Sequence, residues 1–311
     1  MITALSLAAA VIGGTIAYLF WAHAAVAAGW SSLWFVAGLP IAFLAIPFLA
    51  SALWFTLSWR HRAARPPHAR LGIAALPRLY TREALAIASS VPRMIGYRWL
   101  MADPPPARAD LPVLLLHGVM CNAGVWHPLK RHLAARGIGP LYALSYGPPL
   151  ASIEAFAEQA AAKIDAIIAA TGAAQVVIVA HSMGGLVARA YVRRWGGAKV
   201  RRLITIGTPH RGSMLARGLP GRSLSQMRPD SPWLAGLGAS ALASPPPIVS
   251  LWSWHDSMVA PQTSSVLDHA ENVALVGIAH NALLSHREVL ERVAAEIERA
   301  RGPAFTNAPL A

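Results

Sequence analysis

The chain has 311 residues and a formal net charge of +13, yet only 13% of it is charged and 55% is hydrophobic; an average soluble domain is about 25% charged. The length allows one α/β domain plus an appendage, and the basic residues are scattered arginines without an aromatic-interleaved patch, which argues against nucleic acid as a partner. One cysteine, Cys121, rules out an intrachain disulfide and agrees with a reducing compartment, and the 12 histidines show no metal-ligand spacing.

The charge deficit is concentrated at the N-terminal end. From Met1 to Trp59 there is no Asp, Glu, Lys or Arg. Within that stretch Ala4–Trp21 and Leu33–Leu57 are each long enough to cross a hydrocarbon core of about 30 Å. Gly29, Ser31 and Ser32 supply a turn between them, and Trp21, Trp30, Trp34, Trp54 and Trp59 lie near the ends, at headgroup level. Residues 1–59 therefore read as a two-helix transmembrane hairpin, with Pro40 and Pro47 kinking the second helix. A cleaved signal peptide followed by a core helix fits poorly, because no Lys or Arg precedes the first apolar run and a second long run follows. Arg60, Arg62, Arg65, Arg70, Arg78 and Arg82 come before the first acidic residue, Glu83. Positive charge beside a span favours the cytoplasmic side, which places both termini and the large domain there and gives the net charge a partner in anionic headgroups.

Residues 60–108 read as a basic juxtamembrane linker, Pro-punctuated at first. A short helix is expected over 81–90, capped by Thr81, ended or kinked by Pro92, and with basic flanks suited to lying on a membrane. From Leu111 strands and helices alternate. Strands are expected at 113–118, 141–146, 175–180, 200–207, 248–254 and 272–277, and helices at 124–136, 153–170, from the turn after 180 to Trp195, and at 286–299. That alternation predicts a mostly parallel sheet flanked by helices over residues 109–303.

The run VVIVAHSMGGL (176–186) carries the chemistry. A strand, a serine among small residues and a helix start make a nucleophile elbow, in which a tight turn projects a hydroxyl toward a base. Ala180 and Gly184 keep the turn uncrowded and Gly185 lets the helix approach the strand, so Ser182 is the expected nucleophile. In such hydrolases the acid and base follow the serine in the order Asp, His, on loops after later strands. Asp256, just past IVSLWSWH, fits the acid, and His280, between the last strand and the last helix, fits the base. Asp268 competes for the acid, and His269 and His286 for the base; both histidines are worse placed, since His269 precedes the last strand and His286 opens the last helix. The oxyanion needs backbone N–H donors, one of them from Met183 after the nucleophile.

Together HGV at 117–119, AHSMGG at 180–185, GTPHRGS at 207–213, HDSMV at 255–259 and GIAHNALL at 277–284 make residues 111–300 resemble the α/β-hydrolase fold, and within it bacterial triacylglycerol lipases and esterases. Several of those lipases share the Ala-His-Ser-Met-Gly form of the elbow. The resemblance implies ester hydrolysis through an acyl-serine intermediate with no cofactor. It also makes Val119, after the His117-Gly118 dipeptide, the second oxyanion donor, with His117 and His181 in supporting roles. The insertion at about 211–247 resembles a lipase lid, with Met227, Trp233, Leu234, Leu237 and Leu242 as its apolar points; a plain helical insertion is the equal alternative. No aspartate pair matches the calcium site of some relatives, and the membrane hairpin departs from their secreted form. The expected protein is thus a multi-pass inner-membrane hydrolase of acyl lipids or apolar esters. The same residues would also serve an acyltransferase or thioesterase, and a non-catalytic membrane-bound binding module stands third.

Overall fold

The computed structural model describes residues 2–239 and 245–302. Met1, Leu242 of the insertion and Pro303 at the expected domain boundary lie outside the described residues. The uncharged segment forms two helices, α1 (Ile2–Ala27) and α2 (Ser32–Arg60), joined by a turn at 28–31 where Gly29 takes φ +93°. Both outrun the predicted spans because nothing in the flanking sequence stops them, and Pro40 and Pro47 sit inside α2. Only 6% of the apolar window of α1 and 12% of that of α2 is buried, so neither is a core helix of the globular part. Near the turn, the Tyr18 hydroxyl donates to the Phe35 carbonyl at 2.8 Å and Trp21 packs edge-on to Phe35 at 5.0 Å.

The linker makes 3-10 turns at Pro67–Ala69 and Ile73–Ala75, then α3 (Leu76–Ile95) and the single turn α4 (Tyr97–Leu100). This corrects the short helix expected at 81–90: Thr81 is a mid-helix residue rather than a cap, and Pro92 lies inside the last stretch of α3 instead of ending it. Pro77 stands in the first turn, where its missing N–H leaves no bond unmade. Tertiary burial of Leu79, Glu83, Ala84, Ala86 and Met94 then overrides the weak local stop. Helix α3 packs against α1, α2 and the hydrolase body at once. Tyr80 fastens it to α2, its hydroxyl donating to the Phe48 carbonyl at 2.5 Å and its ring lying 5.6 Å from that of Phe48.

The body is built from β1 (Val113–Leu116), α5 (His127–Ala134), β2 (Leu141–Leu144), α6 (Ile153–Thr171), β3 (Val176–His181), α7 (Met183–Trp195), β4 (Val200–Ile206), α8 (Arg222–Gln226), α9 (Pro232–Ala239), β5 (Ile248–Ser253), β6 (Glu271–Leu275) and α10 (Arg287–Arg301). The helix expected at 124–136 begins as a 3-10 turn, Ala123–Trp126, capped by the Asn122 side chain, which accepts from Gly124 N at 2.9 Å. Six parallel strands lie in the order β2-β1-β3-β4-β5-β6, with Leu116 opposite both Leu144 and Ala180, and Ile206 opposite both His181 and Leu251. Because side chains alternate along a strand, Val113, Leu115, Val177, Val179, Ile204 and Ile206 enter one core with α5 and α10. Leu114, Leu116, Val176, Ile178, Ala180 and Leu203 enter the other with α6 and α7. Strand order reverses between β1 and β3, and such a switch point opens a crevice at the carboxyl ends of the strands.

The insertion after β4 holds α8 and α9. Met227, Leu234 and Leu237 are buried there in the same core as α6 and α7, with Trp233 partly buried against it.

Candidate active site

The loops at the carboxyl ends of β1, β3, β4, β5 and β6 meet on one side of the sheet. After β3 the chain turns at Ser182, whose φ of 54° and ψ of −127° no ordinary residue adopts without cost. Such backbone strain is worth about 1–3 kcal/mol and persists only when the surroundings enforce it. They do so here: Ser182 N donates to the Ile206 carbonyl at 2.9 Å, and α7 begins at once. A Cβ on Gly184 would stand 2.3 Å from the Leu116 carbonyl oxygen and 2.7 Å from that of His117, so glycine is needed for α7 to seat against the β1 loop. Gly185 approaches Thr208 rather than its own strand. Ser182 is 8% exposed, set just below the surface.

Asp256 and His280, read from separate loops, are brought into contact: His280 Nδ1 lies 2.8 Å from Asp256 Oδ2, both side chains buried. The other carboxylate oxygen, Oδ1, accepts from Met258 N at 2.8 Å and Val259 N at 2.7 Å, which fixes the plane of the carboxylate. Burial lowers the His280 pKa, but the charge of Asp256 and its hydrogen bond, with a smaller contribution from the charge of Glu83, outweigh it, and the net shift is upward. Gly207, which follows Ile206, joins this pair to the elbow. At φ +54° a Cβ there would meet Asp256 Oδ2 at 3.1 Å and His280 Nδ1 at 3.4 Å.

The neighbouring histidines serve as framework. His181 places Nε2 3.2 Å from the His280 carbonyl, and their ring centres are 4.6 Å apart. Burial and the nearby His280 hold the His181 pKa well below the usual value. His117 contacts the Gly118 carbonyl through Nδ1 at 2.8 Å and stacks on Tyr146 at 4.0 Å, and burial pushes it down to about 4. Tyr146 in turn donates its hydroxyl to the His117 carbonyl. The Val119 loop and Met183 line one small cavity together with Tyr146, Leu150 and, from α1, Thr3. As the first residue of α7, Met183 carries an amide that intrahelical bonding does not use. Met120 beside Val119 has φ 55°, a second strained non-glycine residue. Cys121, adjoining this loop, is buried enough to push its thiol up to about 12.

The competing residues lie elsewhere. Asp268 and His269 are exposed, and Asp268 pairs with Arg211 at 2.5 Å. His286 stands at the N-cap of α10, its pKa lowered by burial and then by Arg82. The GTPHRGS segment braces the acid loop: Ser213 Oγ donates to the Met258 carbonyl at 2.9 Å and accepts from Ala260 N at 3.2 Å. Among the described residues no His, Cys, Asp or Glu cluster could hold a metal ion. Sequence reasoning missed Glu83, which reaches the same loops from α3; its only sequence signal is that it is the first acidic residue of the chain.

A parallel sheet in this order with a strained serine elbow after β3 defines an α/β hydrolase, and the model of the Alpha/beta hydrolase family matches residues 113–307. The chain belongs to that family. It is 32% identical over 153 residues to a triacylglycerol lipase of Burkholderia plantarii, covering 43% of this chain and 41% of that protein. It is 33% identical over 122 residues to a triacylglycerol lipase of Pseudarthrobacter phenanthrenivorans, covering 35% and 36%. The matches thus span less than half the length of either relative. Among solved structures, lipase B of Aspergillus fumigatus aligns with a TM-score of 0.61 at 15% identity, over 85% of this chain and 81% of that one, a likeness of fold.

Proposed function

We propose that this protein is a membrane-anchored carboxylic-ester hydrolase acting on acyl lipids or other apolar esters. The observation that carries the reading is the buried His280–Asp256 contact of 2.8 Å beside the strained Ser182 turn. In the reaction His280 Nε2 takes the proton as Ser182 Oγ attacks the ester carbonyl. Asp256 stabilises the imidazolium through Nδ1–H, and the amides of Met183 and Val119 bind the oxyanion. The alcohol leaves with the proton held on His280, and water then attacks the acyl-serine by the same route to release the acid.

The substrate class rests on the hairpin. Two apolar helices of spanning length adjoin the hydrolase, and Thr3, in the first turn of α1, lines the cavity beside the oxyanion loop. An ester presented by a bilayer therefore meets the site where α1 begins, which favours lipid over freely soluble esters. Arg60, Arg62, Arg65 and Arg70 beside α2 favour a cytoplasmic hydrolase domain at the inner membrane. The test is hydrolysis of a chain-length series of p-nitrophenyl esters by the detergent-solubilised protein, with Ser182→Ala alongside. Turnover lost in the variant supports the assignment, and turnover kept refutes it. A competing alcohol or a thioester donor in the same assay separates hydrolysis from acyl transfer and thioesterase activity. A reporter fused after Ala311 tests the topology: activity of a periplasm-only reporter overturns the cytoplasmic placement.

A further inference from the structure

A second buried carboxylate lies within reach of both loops that carry the proposed acid and base. Glu83 of α3 is 0% exposed. Its Oε1 accepts from Ser257 Oγ at 2.8 Å, from Asn281 Nδ2 at 2.8 Å and from Asn281 N at 3.1 Å. Its Oε2 accepts from Asn281 N at 3.0 Å and from Ala282 N at 3.0 Å. Ser257 follows Asp256 directly, and Asn281 follows His280 directly. One side chain thus clasps the residue after the acid and the two residues after the base.

We propose that Glu83 is a positioning residue of the ester-cleaving centre, holding the Asp256 and His280 loops at their working separation and adding a second negative charge behind the imidazole. The proposal rests on the Ser182, His280, Asp256 assignment above.

Two features separate this from a plain structural staple. Every partner of Glu83 donates to it, which suits an acceptor-only carboxylate better than an amide: a glutamine there would turn an NH2 either toward Asn281 Nδ2 or toward the Asn281 and Ala282 N–H groups. Among the described residues, moreover, no Lys, Arg or His forms an ion pair with it, so its charge is left to act on its surroundings. Arg78 and Arg82 of the same helix act on His286 instead. The titratable groups facing His280 are Asp256 from the loop after β5, His181 from the end of β3 and Glu83 from α3, with His117 behind His181. The two anions are on one side of this balance, and both favour the imidazolium that forms during attack.

The test uses the full-length protein in detergent micelles with a p-nitrophenyl ester, comparing wild type, Glu83→Gln, Glu83→Asp and Ser182→Ala. For Glu83→Gln, kcat is expected to fall about 10- to 100-fold, the loss typical of a small misplacement of reacting groups. The acid limb of kcat/KM should also move to lower pH, because removing an anion near His280 makes the imidazolium easier to deprotonate. Glu83→Asp keeps the charge and should return the limb toward wild type while leaving part of the kcat loss. A staple without an electrostatic role would not move the limb. If Glu83→Gln does not accumulate as folded protein, Ser257→Ala deletes one donor and keeps the charge: lowered kcat with the limb in place supports the positioning of the Asp256 loop by Glu83, and wild-type kcat overturns it. Wild-type kcat and an unmoved limb in Glu83→Gln, with Ser182→Ala inactive, overturn the role of Glu83 alone. Activity in Ser182→Ala overturns the assignment beneath it.

Discussion

Replacing Asp256 by asparagine tests how this site fixes the proton on its base. The outcome follows from the two hydrogen bonds to Oδ1, from Met258 N at 2.8 Å and Val259 N at 2.7 Å. Those amides require an oxygen, and turning an NH2 toward them would leave buried donors unpaired at about 1–3 kcal/mol each. The Asn NH2 must therefore occupy the Oδ2 position, 2.8 Å from His280 Nδ1. Facing a donor, Nδ1 becomes the acceptor, and the ring proton moves to Nε2, the atom that receives the Ser182 proton in the proposed reaction. The base is then in the wrong tautomer, and kcat is expected to fall about 10³- to 10⁴-fold, or ~4–5.5 kcal/mol of transition-state stabilisation. Because the shape and the Oδ1 bonds survive, folding stability should change by only about 1 kcal/mol. Steady-state hydrolysis of a p-nitrophenyl ester and a thermal melt, run on the same preparation, give both quantities. A variant keeping more than about a tenth of wild-type kcat would refute the tautomer argument.

The elbow predicts a trade of activity against stability: Ser182→Gly should abolish turnover yet gain about 1 kcal/mol by relieving a φ of 54°, and a lowered Tm would contradict the strain. Gly184→Ala places a Cβ against backbone oxygens that cannot swing aside and should cost about 3 kcal/mol or prevent folding. Gly72→Ala, in open space at φ −65°, should stay within about 0.5 kcal/mol of wild type; equal effects in the two variants would sink the packing account. Because the His280 pKa is raised, the acid limb of kcat/KM should lie above the usual histidine value of about 6.5, and a limb below it would count against His280 as base. His117 and His255, each pushed down to about 4 by burial, lend stability that is fully present above the unfolded value of about 6.5 and lost as pH falls toward 4. The raised His280 works in the opposite sense, its share being present below about 6.5 and lost as pH rises through its folded value. His181 and His210, held well below the usual value chiefly by burial, act in the same sense, and the His280 share stays constant in this range, so Tm should drop between pH 6.5 and 4; a flat profile would refute the balance.

What could be read from the chain was whatever is local. The continuous apolar run of β3 and the small residues around Ser182 are neighbours in sequence, so the elbow was legible there, and strands alternating with helices made the parallel sheet legible. Asp256 and His280 were legible from chain order, since each falls just past a recognisable strand, and the structure brings them together at 2.8 Å. Glu83 was not, because its partners Ser257, Asn281 and Ala282 lie 174, 198 and 199 residues away, with no pattern linking them to the linker. The length of α3 was misread for the same reason: Thr81 and Pro92 are local signals, and the burial that overrides them is tertiary. In the insertion, Met227, Leu234 and Leu237 marked an apolar face correctly, but its partner, the α6–α7 core, is invisible in a hydropathy pattern.

The long-range ties have a temporal consequence. Ala63 N donates to the Gln262 side chain, Arg65 Nε donates to the Trp254 carbonyl, and Glu83 accepts from Asn281, contacts separated by 199, 189 and 198 residues. At a synthesis rate of about 5–20 residues per second, roughly 10–40 s pass between the emergence of the two halves of each contact. The apolar hairpin leaves the ribosome long before the loops it will help to brace exist. The chain thus completes its apolar hairpin while still inert, and the proposed active site is closed only once the loops after β5 and β6 have been made.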